Sequence, residues 1–193
     1  MSEQAKIESE LEAVRAHMPV RIMDFEIDPQ LVHDALPELF PVYGISMTLP
    51  YLEPYLIRTM REALEHCTDP VIAQEVRQFI GQEAQHYRQH AVLNDMIRSI
   101  SPELEGLREI EDQLAADYKR FTQTKSLKFN LAYAEGFEAA AFAGGRANFR
   151  NNVFDRLETI QNTDLLRLFI WHALEEIEHN TVTFNMYDYL YGD

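Results

Sequence analysis

FIWHALEEIEHNTV (residues 169–182) decides how this chain is read. An apolar run leads into Glu176-Ile177-Glu178-His179, and His172 precedes Glu176 by four residues. Positions i, i+4 and i+7 share one face of an α-helix, so His172, Glu176 and His179 project to the same side. A second stretch repeats the pattern. RQFIGQEAQH (77–86) carries Glu83 and His86, again after an apolar run, and His90 follows four residues later. A Glu and a His at i and i+3 lie about 5–6 Å apart at their Cβ atoms, so one rigid helix offers a carboxylate and an imidazole to one point. Two such helices facing each other across a bundle core hold a pair of metal ions when two further helices each add a Glu. An isolated Glu-x-x-His pair on a solvated face is the plain alternative, and it is the apolar setting of both copies that argues against it.

The further carboxylates are present. Glu53 lies in MTLPYLEPYLI (47–57) and Glu135 in LAYAEGFEAAAFA (131–143). A charge inside such runs is costly unless it is paired or bound to metal. The chain order is then Glu53, Glu83 with His86, Glu135, and Glu176 with His179. Glu138 competes with Glu135, because the two are three residues apart on one helix face. His90 and His172 extend the two histidine faces as added ligands, proton carriers or hydrogen-bonded core residues. Of the neighbouring Glu175 and Glu178, at least one is expected on an acidic surface. His17, His33 and His66 fall outside the pattern. Phe79, Tyr87, Phe129, Tyr133, Phe137, Phe142, Phe169 and Trp171 crowd the same helices, either as plain packing or as the wall of an apolar channel.

Working outward, the pattern predicts an all-α fold. Glu3 to His17 reads as a charged helical arm and Met18 to Asp28 as an extended segment. Long helices are expected over about 45–67 (with Pro50 and Pro54 marking a bend or its first turn), 70–100, 104–121, 127–143 and 163–189. Asp69-Pro70 and Thr163-Asp164 are helix-start signals, and Gly144-Gly145 should loosen a helix end. One domain over residues 1–193 is expected, with residues 1–40 as an N-terminal arm and about 44–191 as the helical core.

Bulk properties narrow the partners. A net charge of −15 repels nucleic acid and anionic lipid and attracts cations. A single cysteine, Cys67, excludes an internal disulfide and a thiolate zinc site. The polar start and the lack of a long apolar stretch point to the cytoplasm and to no membrane span.

VRIMDFEID (20–28), GISMTLPYLEPYL (44–56), RQFIGQEAQHYRQH (77–90) and FIWHALEEIEHNTVTFNMYDY (169–189) together resemble the bacterial family of predicted metal-dependent hydrolases, grouped with the ferritin-like di-iron proteins. The resemblance implies a ferritin-like four-helix bundle with accessory N-terminal and inter-helix segments. It also implies Glu53, Glu83, His86, Glu135, Glu176 and His179 as metal ligands. This chain departs from the family pattern at Leu52 and Gly136, beside two of those carboxylates. Carboxylate-rich ligation with imidazoles and no thiolate suits two iron ions, or Mn or mixed Fe/Mn, better than zinc. The leading expectation is a di-iron oxidase or oxygenase that activates dioxygen next to a small apolar or carboxylic substrate, with His90 and His172 as catalytic histidines. The alternatives are a metal-dependent hydrolase using a hydroxide shared by two metals, and a non-catalytic metal-binding bundle. A homodimer is the oligomer that bundles of this type favour.

Overall fold

A computed structural model describes residues 18–192. The charged arm expected at Glu3 to His17 lies outside the described residues. Among the described residues the regular structure is helical throughout: α1 Pro29–Asp34, α2 Leu36–Ser46, α3 Leu49–Leu64, α4 Pro70–Arg98, α5 Leu107–Thr124, α6 Leu127–Arg150, α7 Asp164–Glu178 and α8 Val182–Tyr191, with short 3₁₀ turns between α4 and α5 and between α6 and α7. The all-α expectation holds. No helix among them is long and apolar enough to cross a membrane.

The start signals act as the sequence suggests. Asp69 accepts from the Val71 and Ile72 amides at the head of α4, with Pro70 in its first turn. Ser126 caps α6 through the Phe129 amide, and Thr163 caps α7 through the Leu166 amide. Three boundaries differ from expectation. The first long helix is two, broken at Met47-Thr48, so that Pro50 falls in the first turn of α3. Pro54 removes one helical bond without ending α3. Gly144-Gly145 does not end α6, which runs on to Arg150 because its small residues are packed against α7: a Cβ on Gly145 would lie 3.1 Å from the Ala173 carbonyl oxygen. The last helix breaks at His179, which stands as the C-cap of α7, and resumes as α8.

Helices α3, α4, α6 and the α7–α8 pair surround the interior, with α5 laid against α3. The inward face of α4 explains the layout. Val76 and Phe79 pack into one apolar cluster with Leu52, Leu56, Leu131 and Met186. Leu93 and Ile97, about four turns later, pack into a second with Leu39, Tyr43, Leu165 and Leu168. Between them the same face carries Gln82, Glu83, His86 and His90, all buried. A polar zone is thus clamped between two dry cores.

Residues Met18–Asp28 have no regular secondary structure and show alternate-residue burial, as expected of an extended segment. They strap α4 to α7. Gln89 donates to the Met23 carbonyl, the Glu26 amide donates to Asp164, and Phe25 packs on Trp171. Gly81 permits the strap's close approach, since a Cβ there would collide with Val20.

Candidate metal centre

Four helices deliver carboxylates and imidazoles into the polar zone. Glu53 comes from α3, Glu83 and His86 from α4, Glu138 from α6, and Glu176 and His179 from α7 and its cap. Two groups are tight enough to hold an ion each: Glu53, His86 and His172, and Glu83, Glu176 and His179, with donor atoms within 4.8 Å of one another in each. Glu83 and Glu176 both approach the His86 Nδ1, at 3.5 and 3.6 Å, so the groups adjoin. Glu138 Oε2 lies 3.1 Å from the His179 Nε2.

Glu138, not Glu135, points into this cluster. Glu135 sits half-buried nearly one turn earlier, and its carboxylate accepts a 2.7 Å bond from the Thr183 hydroxyl. The two residues share a helix face, being only about 60° apart around the axis, and the rotation of α6 about that axis decides between them. Burial was the signal that sequence lacks.

The imidazoles are aimed by partners that a linear reading missed. His86 Nε2 lies 2.9 Å from Glu175, which Arg21 of the strap also binds at 2.7 Å. With Nε2–H donating to that carboxylate, the Nδ1 lone pair faces the cluster. Glu175, expected as a surface candidate, is therefore buried, while Glu178 is partly exposed and pairs with Arg21 and Gln82. Gln82 gives its amide protons to Glu178 and to the Pro19 carbonyl, which turns its oxygen toward the His179 Nδ1 at 3.1 Å. That leaves the His179 Nε2 facing inward. The sequence places Arg21 in an extended segment and Glu175 as a candidate for an acidic surface, and it assigns Gln82 no role.

The electrostatics record an excess of buried negative charge. Burial, reinforced by Glu176, raises the Glu83 and Glu138 carboxyls to about 8. Burial and the neighbouring carboxylates push Glu53 well above its ordinary value. Burial opposes the charge on Glu176 too, but His179 and His172 outweigh it and hold Glu176 well below the carboxylate range. Burial likewise opposes a charge on His179, and Glu176 and Glu138 outweigh it and raise that imidazole well above its usual value.

Seven donor atoms here are buried with no hydrogen-bond partner: both oxygens of Glu53, Glu83 Oε1, His86 Nδ1, Glu138 Oε2, Glu176 Oε2 and His179 Nε2. A buried acceptor left unmet is costly, and native proteins keep few of them. Hard oxygen donors with imidazole nitrogens and no sulfur are the donor set of divalent iron, manganese or zinc. The residues present fit a metal.

His172 and His90 continue the polar zone outward. His172 Nε2 lies 2.9 Å from Glu176 and 3.8 Å from Glu53, and its Nδ1 lies 2.7 Å from the His90 Nε2. His90 Nδ1 lies 2.8 Å from the Ser46 Oγ, and Ser46 donates to the Asn94 Oδ1 at 2.7 Å. Asn94 in turn donates to the Ser46 carbonyl, which fixes its amide and thereby the direction of the chain. Burial, then His172 and His86, keep the His90 imidazole neutral.

An all-α protein with candidate metal-ligand groups buried between its helices is the class these observations define. Residues 21–193 match the family model described as predicted metal-dependent hydrolase, and the chain belongs to that family. No curated protein and no solved structure matches it.

Proposed function

We propose that this chain is a metal-dependent hydrolase holding two metal ions between Glu53, Glu83, His86, Glu138, Glu176 and His179. The convergence of unpartnered donor atoms from four helices carries the reading. The family description supports hydrolysis over the oxidase chemistry that the donor set first suggests. Metal ions bound there would supply Lewis-acid polarisation and an activated water.

The chain's own residues supply the rest. Glu175 and Gln82 keep the His86 and His179 lone pairs turned inward. His172 stands where the cluster meets the outside, and its side chain is 13% exposed. The fixed direction of the Asn94–Ser46–His90 chain leaves His90 Nε2 as an acceptor, so His172 donates from Nδ1 and presents Nε2 to Glu176. His172 Nε2 is then the atom that takes or gives a proton beside the ligands, and His90 positions it. Elemental analysis of the purified protein, with anaerobic hydrolysis of neutral ester and amide panels, tests this. Two metal ions per chain with oxygen-independent turnover by redox-inert ions is the expected result. A metal-free chain without turnover refutes it.

One observation favours a second reading. An apolar cavity adjoins the four-carboxylate donor set, the setting in which a di-iron centre oxidises an organic substrate with dioxygen. Ferrous loading followed by an oxygen pulse separates the two: oxygen consumption with a transient visible band selects the oxidase.

A further inference from the structure

Beside the cluster lies a cavity of about 360 Å³ between α2, α6 and α7 that opens to solvent. Its walls are apolar: Ile45 and Val42 on α2, Phe137 and Ala141 on α6, Phe169 on α7. Gly144 and Gly145 thin the α6 wall, and no Lys or Arg lines the space. Its polar groups are few: Ser46 and Asn148 beside three titratable residues, His90, His172 and Glu176. Glu176 is 6% exposed, and its Oε2 has no hydrogen-bond partner. The inner end of the cavity is therefore made by side chains that also belong to the metal cluster.

We infer that this cavity binds the substrate, a neutral, largely apolar small molecule carrying one polar group, with that group directed at His172 and Glu176. The inference rests on reading the cluster as a metal centre, but the pocket is testable apart from it. The volume suits a molecule of modest size, since ligand pockets of about 300 Å³ and above enclose such molecules. No Lys or Arg lines the cavity to pair with an anionic head, and the apolar walls give no return for burying a cation's hydration shell. In the metal-free chain the four buried carboxylates further disfavour an anion.

Gly144 provides the decisive variant. A Cβ there meets nothing within 4 Å, so Gly144→Leu extends into open space instead of into backbone. Gly136, also on α6, is equally open but does not line the cavity, which makes Gly136→Leu the control. The probe is 1-aminoanthracene, a neutral aromatic amine that brightens in apolar surroundings, titrated into the purified full chain and into the same protein after chelation. Expected are saturable binding at one site per chain, displacement by 1-octanol, and at least tenfold weaker displacement by octanoate from the chelated protein. Gly144→Leu should weaken the probe tenfold or more with helicity and metal content unchanged, whereas Gly136→Leu should leave binding as in the parent.

No saturable binding, or equal binding by Gly144→Leu and the parent, overturns the pocket. Octanoate competing as well as octanol overturns the ligand class. Probe binding that falls as the chain is concentrated into dimers also overturns it, because the cavity is then a contact between copies. Intact probe binding in a protein that holds no metal supports the pocket and refutes the metal-centre reading alone.

Discussion

At the scale of single residues, ligand identity is the testable matter. Glu176→Ala and Glu138→Ala should each lower the metal content below two ions per chain, while Glu135→Ala should retain both, as read by elemental analysis. The reverse result for the α6 pair would mean that α6 rotates on metal binding. Protonation gives a second prediction. Glu83 and Glu138 have folded values of about 8, above the ordinary carboxyl value of 4.5. Between those limits the folded metal-free chain holds more protons than the unfolded one, so its stability falls as pH rises through that window. Chemical denaturation of chelated protein from pH 5 to pH 8 should show the fall. Metal must displace the same protons, so its apparent affinity should tighten about tenfold or more over about pH 6 to 8, measured by competition with a chelator dye.

At the scale of elements, the strap and α7 act together. Arg21 reaches from the extended segment to Glu175, which orients His86. Arg21→Ala should leave the helices intact and weaken metal binding about 10–100-fold, the usual cost of losing a residue that orients a ligand. An unchanged affinity in calorimetry would detach the strap from the site. Gly81 tests the strap's seating. Gly81→Val forces the strap off α4 and should cost about 1–3 kcal/mol in denaturant unfolding, as over-packed cores do. The break between α7 and α8 belongs to this scale too. Ending α7 at His179 frees that imidazole from a continuing helical face, a feature that the uninterrupted pattern of residues 163–189 does not announce.

At the scale of the whole molecule, the buried carboxylates hold the metal-free fold under strain. Helices that converge on like charges repel unless protons or cations intervene. Saturating metal should therefore raise the unfolding free energy by about 4 kcal/mol at a thousandfold excess over Kd. Calorimetric scans with and without chelator measure this, and coincident transitions would speak against a metal held in the core. The net charge of −15 belongs to the same balance, because several of its carboxylates face inward.

The sequence by itself determined the helical class, the Glu-x-x-His pairs on α4 and α7, and the place of Glu53 on α3. Each follows from the 3.6-residue period and from the cost of charge in an apolar run, both of which are local. Only the tertiary structure decided between Glu135 and Glu138, buried Glu175, brought Arg21 and Gln82 to the histidines, and linked His90 to His172. Those outcomes depend on how far each helix is rotated about its axis and on which segment crosses it. Rotation and crossing are set by packing between distant residues, which no local period records.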